Sequence, residues 1–148
     1  MPTGPADTPP MRDDTALEHW LFELLIGATH PQLWLFFLDE DDRPTGPVMP
    51  CDELPDHPDE IVTTDDLGTL PVVELFAHRF ANLMREFDFA QVVVVWERCG
   101  GDQITALDRA WARLGDHLVR QGVRVRARFL LHEDGMRIFT PDDLPAAA

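Results

Sequence analysis

The 148-residue chain contains no lysine and no tyrosine, and only two cysteines. With every side-chain cation an arginine, and Ala, Asp and Pro frequent, the composition matches the codon bias of a GC-rich genome, so arginine identity alone is no evidence for phosphate recognition. Cys51 and Cys99 form no Cys-x-x-Cys, which argues against a disulfide framework or a zinc ribbon. The six histidines include no pair at i, i+2 or i, i+4, so a histidine metal site has no local signature. His78, inside a helical pattern, reads as a surface or partly packed residue.

Long apolar runs are missing as well. The longest, Leu33 to Leu38, is far short of a membrane span. The first residues lack the basic-then-apolar order of a signal peptide. The expected location is therefore cytoplasmic, with no membrane partner. Positive charge is scarce: 12 Arg against 27 Asp and Glu leave a net charge of −15. Residues 39–66 hold 11 of the acids and one Arg, whereas residues 67–148 hold 11 acids and 10 Arg. Such a field repels phosphate backbones, so direct binding of duplex nucleic acid is not expected unless a basic face is segregated. The acid then serves either solubility or recognition of a protein partner with a basic surface.

What is present predicts one layered α/β domain over 14–144, a mixed sheet of about four to six strands covered by three helices. Residues 1–13, with Pro2, Pro5, Pro9 and Pro10, read as a flexible tail, and 145–148 as a second one. Thr15 and Glu18 have the capping-box spacing ahead of an apolar stripe (Leu17, Trp20, Leu21, Leu24, Leu25), and Gly27 is a plausible stop. Leu33–Leu38 predicts a buried strand. The acidic, Pro-rich stretch 39–66 predicts a long surface loop with at most a short strand near Val48. In it, Asp39, Glu40, Asp41 and Asp42 offer hard oxygen ligands for Ca²⁺ or Mg²⁺ but lack the alternating spacing and central Gly of an EF-hand loop; a solvated acid cluster is the plainer reading.

Pro71 to Phe87 and Gln103 to Gln121 carry helical apolar periods. Between them, Ala90 to Trp96 is apolar apart from Gln91 and predicts an interior strand buried on both faces. From Val123 the chain alternates, which places Arg124, Arg126 and Arg128 on one face of a strand. That face is either the wet side of the sheet or a cationic stripe receiving the acidic loop or an anionic partner. Glu133-Asp134-Gly135 predicts a hairpin turn into a strand from Met136 to Phe139, and Thr140-Pro141 predicts a final helix cap.

Around the predicted interior strand the chain resembles the JAB/MPN metalloprotease superfamily, within it the RadC-like proteins. Val95-Trp96-Glu97-Arg98-Cys99-Gly100 stands where that family has His-x-His-Pro-Ser-Gly, and Thr105-Ala106-Leu107-Asp108 has the spacing of its Ser-x-x-Asp. The resemblance spans about residues 30–140 and implies an MPN/JAB-like fold. In that family two histidines and the Asp ligate zinc, a Glu from an earlier strand is the general base, and the Ser steadies the oxyanion. Here Val95 cannot ligate, Glu97 could, Asp108 is retained, and Pro31-Gln32-Leu33, where the Glu should enter, holds no acid, although Glu23 or Asp39 lies near in sequence.

The resemblance thus implies a pseudoenzyme, in which Glu97, Cys99, Thr105 and Asp108 cluster at the strand end with no catalytic metal and no cofactor. The expected function is a non-catalytic interaction module that presents the acidic loop to a basic partner. Two alternatives stay open. One is a hydrolase using Cys99, which precedes Gly100-Gly101 and a predicted helix entrance; His117 or His132 would have to approach in space, and a phosphatase would need Arg where Thr105 stands. The other is a weak metal-dependent hydrolase using Glu97 and Asp108. In the plain reading, Glu97-Arg98 is a local ion pair and Asp108 an acid favoured early in a helix.

Overall fold

The computed structural model describes residues 10–25 and 30–144; the proposed stop at Gly27 and the tails 1–9 and 145–148 lie outside them. The elements run α1 (Asp14–Leu25), β1 (Gln32–Leu38), β2 (Pro44–Cys51), β3 (Ile61–Thr64), β4 (Gly68–Pro71), α2 (Val72–Phe87), β5 (Gln91–Glu97), α3 (Ala106–Ala112), α4 (Leu114–Arg120), β6 (Arg124–His132) and β7 (Gly135–Ile138). Five strands form a mixed sheet in the order β2-β1-β5-β6-β7, and β3 and β4 form a separate ribbon. The coarse prediction, a single α/β domain with a mixed sheet of about four to six strands covered by helices, holds.

β5 is the interior strand, antiparallel to β1 and parallel to β6, with all seven residues buried. Alternate side chains leave the strand on opposite faces, so it feeds two cores. Val92, Val94 and Trp96 join Phe80 and Met84 of α2 and Trp111, Leu114 and Leu118 of α3 and α4. Val93 and Val95 join Leu17 and Leu21 of α1 on the other face. Full burial of Leu17 or Leu21 contributes about 1.5–3 kcal/mol each, and the partly buried Trp20 and Leu25 pack against the same cluster. Leu24 of the predicted stripe is instead 49% exposed.

Five sequence expectations are corrected. Residues 39–66 are not one long loop: Pro44–Cys51 pairs with β1 as an edge strand, and Ile61–Thr64 pairs with β4. Prolines 44, 47 and 50 within β2 remove backbone donors, which is tolerated only at a sheet edge. The α1 cap is Asp13, whose Oδ1 accepts from the Thr15 N–H at 2.7 Å, in place of the Thr15 capping box. Residues 10–13 are not a free tail, since Met11 is buried and its N–H donates to the Asp42 carbonyl at 2.6 Å. The third predicted helix is two, α3 and α4, separated at Arg113, and Pro141–Leu144 forms turns without a helix.

The arginine stripe is also divided. Val92 pairs with Val125 but Val93 with Ala127, so β6 carries a bulge at Arg126 that shifts its alternation by one residue. Arg126 therefore reaches the α1 side, 2.7 Å from Asp14, while Arg128 reaches α4 and Asp116 at 3.0 Å. Arg124 is exposed and forms no ion pair among the described residues.

Candidate functional site

The chain leaves β5 at Glu97 and enters α3 through the loop 98–105. Successive residues at the end of a strand point to opposite faces. Glu97 turns toward the α1 side, where Gln32 Nε2 and Trp34 Nε1 each donate to its Oε1 at 2.8 Å, and the His30 N–H reaches its Oε2 at 3.3 Å. Gln32 is its cross-strand partner on β1.

Trp96 and Arg98 turn the other way, toward α3. Thr105 caps α3 with a capping box: its hydroxyl accepts from the Asp108 N–H at 3.1 Å, and its own N–H donates to Asp108 Oδ2 at 2.9 Å. The Asp108 carboxylate is fully buried and also accepts from Trp96 Nε1 at 2.8 Å. Arg98 completes it, Nε to Oδ1 at 2.9 Å and Nη2 to Oδ2 at 2.8 Å. The remaining guanidinium donors go to the carbonyls of Cys99, Gly101 and Gln103 at 3.2, 2.6 and 2.8 Å. All five N–H groups of Arg98 are thus used, two on the carboxylate and three on the loop that follows. The ion pair is Arg98–Asp108, not the local Glu97–Arg98 pair.

Burial works against the charge on Asp108. The hydrogen bonds from Arg98, the Thr105 N–H and Trp96, with the Arg98 charge, outweigh it and hold the carboxyl below the ordinary Asp value. Arg98 is correspondingly raised, chiefly by its hydrogen bonds to Asp108.

The expected cluster therefore forms only in part. Cys99, Thr105 and Asp108 line one cleft of about 650 Å³, and Glu97 lies across the sheet. Val95, Glu97 and Asp108 stand on two faces, and both Asp108 oxygens are covered, so the ligand set implied by the MPN resemblance does not fit a zinc ion here. Among the described residues no three His, Cys, Asp or Glu side chains converge to hold a metal. Cys99 is exposed. Neither histidine proposed for it lines that cleft: His132 accepts from the Asp134 N–H at 3.2 Å, and His117 sits 3.7 Å from Glu74.

The four acids after β1 build a turn. Asp39 Oδ1 accepts from the N–H groups of Asp41 and Arg43, and Asp42, left-handed at φ 64, accepts from Gln91 Nε2 at 2.7 Å. Glu40 and Asp41 face solvent. At the other end of β2, Asp52 and Asp56 rim a cleft of about 470 Å³ walled by Leu54 and Leu107, next to Arg98.

Sequence reasoning missed the role of Arg98 and the Gln32–Trp34 pair around Glu97. Gln32 and Trp34 alternate on β1, but which residue they face depends on the β1–β5 register, which no local pattern records. No helix among the described residues is long and apolar enough to cross a membrane. No protein-family model matches the chain, and no curated protein matches it in sequence.

Proposed function

We propose that the chain is a non-catalytic protein-interaction module that presents an acidic edge to a partner with a basic surface. The observation that carries this reading is the state of the carboxylates flanking β2: Glu40, Asp41, Asp52, Glu53 and Asp56 are exposed and form no ion pair among the described residues. The internal alternative, an acidic segment folded back on Arg124, Arg126 and Arg128, lacks support, because Arg126 and Arg128 hold Asp14 and Asp116. The prolines of β2 discourage strand addition at this edge, so the partner docks through side-chain charge. Closure of the strand-end loop by Arg98 favours binding over chemistry. Descent from a RadC-like MPN domain is part of the proposal only as ancestry, supported by the helix-strand-helix order around β5.

The test spares Asp39 and Asp42, which build the turn. A Glu40→Gln, Asp41→Asn, Asp52→Asn, Glu53→Gln variant should keep its fold and lose capture of a salt-sensitive basic partner from lysate. Exposed charges are screened beyond about 8 Å at physiological ionic strength, so capture by the parent chain should also fall steeply with salt. Equal capture by both chains at low and high salt would leave the acid as a solubility feature.

A further inference from the structure

We propose that the groove between the start of α2 and the α3–α4 pair binds a small soluble phosphate monoester with an apolar substituent. The groove encloses about 730 Å³, within the roughly 300–1,000 Å³ of small-molecule sites. Arg109, Arg113 and Arg120 line it at helical spacing, and Val73, Val119 and Leu144 supply an apolar wall. Val119 is 57% exposed, so that wall is open to a ligand.

Six of the twelve arginines, Arg12, Arg79, Arg98, Arg126, Arg128 and Arg137, each lie within 4.0 Å of a carboxylate. Of the six that do not, Arg43, Arg85 and Arg124 lie outside the groove lining, while Arg109, Arg113 and Arg120 are in it. Among the described residues, Arg109 and Arg113 make no side-chain hydrogen bond or ion pair, and Arg120 contacts only His117 Nδ1, at 3.4 Å. In a chain with 27 acids, the three cations of this one concavity outnumber its two carboxylates, Asp59 and Asp116. Asp116, also in the lining, is already held by Arg128 at 3.0 Å. Asp59 is the other carboxylate of the lining, a solvated group 3.6 Å from His57.

Because the chain has no lysine, the guanidinium groups themselves point to no ligand; their number and placement do. A carboxylate is satisfied by one guanidinium fork, whereas the terminal oxygens of a dianionic phosphate accept from several. A phospholipid headgroup offers the same chemistry, but a concave site walled on two sides suits a soluble molecule.

Calorimetry on the full chain tests this with phenyl phosphate, inorganic phosphate and phosphatidic acid vesicles as separate probes. Phenyl phosphate should bind one-to-one and about tenfold tighter than inorganic phosphate, a gap of about 1.4 kcal/mol assigned to the apolar wall. The Arg109→Gln/Arg113→Gln variant should unfold at the parent's temperature, since neither side chain supports the fold, and bind phenyl phosphate at least about tenfold more weakly. Arg124→Gln, outside the groove, should bind as the parent does. Absence of saturable binding, equal affinity for the two soluble probes, undiminished binding by the double variant, or capture by vesicles alone would each overturn the proposal.

Discussion

Arg98 grips both oxygens of Asp108, at 2.9 and 2.8 Å, across the mouth of the loop that joins β5 to α3. The carboxylate has no exposed surface, so removing its cation leaves a buried charge uncompensated. Arg98→Ala should therefore cost about 3–5 kcal/mol in equilibrium denaturant unfolding. Arg98→Lys restores the charge but not the five-donor fork, and should recover only part of the loss. A change below about 1 kcal/mol for Arg98→Ala, the size of an exposed pair, would contradict the clamp.

Two groups predict losses of stability on acidification, in separate pH windows. Burial, partly offset by the Glu74 charge, lowers His117, so the unfolded chain takes up that proton first and stability falls as pH drops below about 6.5. Asp108 is also lowered, so its contribution is complete above the unfolded carboxylate value and is lost as pH falls from about 3.9 through its folded value. Stability measured against pH should lose the first slope in His117→Gln and become shallower at the acid end in Asp108→Asn, where Asp143 and Asp66, also held below the ordinary Asp value by their hydrogen bonds, keep the rest. Unaltered slopes in both variants would refute these assignments.

Gly46 sits in β2 at φ +71, and a Cβ there would lie 2.6 Å from the Phe89 ring. That ring is stacked on Phe37 with centroids 4.3 Å apart, so it has little room to give. Gly68 has the same φ with open space around it. Gly46→Ala should cost more than Gly68→Ala, by about 1–3 kcal/mol of overpacking beyond the shared backbone strain. Phe89→Leu in the Gly46→Ala background should narrow the gap. Equal costs for the two glycines would remove the ring contact from the explanation.

The thiols should react in a fixed order. Cys99 is exposed, whereas Cys51 is half-buried and its thiol is raised by burial and then by the Asp52 charge. Limiting alkylation at neutral pH, read by peptide mass, should label Cys99 well before Cys51, because the thiolate is the reacting form. Earlier labelling of Cys51 would mean that β2 opens from the sheet edge.

Much of the framework is legible in local pattern. Val92 to Val95 form an apolar run too short for a helix, and its burial on both faces follows from having no polar face to offer. The period from Val72 to Met84 similarly marks α2, although Phe87, its last predicted apolar position, is 59% exposed beyond the edge of the core. The acidic stretch misled because β2 has weak strand propensity; it is a strand because β1 offers it an edge.

The candidate site was legible as residues but not as an arrangement. The Thr105–Asp108 spacing is identical for a capping box and a ligand motif, and only the placement of Arg98 against Asp108 selects the first. By itself, then, the sequence determined the interior strand, the long helix and the concentration of acid in residues 39–66, because each depends on composition or short-range period. The tertiary structure alone decided that Glu97 and Asp108 stand on opposite faces, that the Arg126 bulge divides the arginine stripe, and that Arg109, Arg113 and Arg120 share a groove. Those outcomes depend on register between strands and on the packing of helices against them, and neither is written in any one segment.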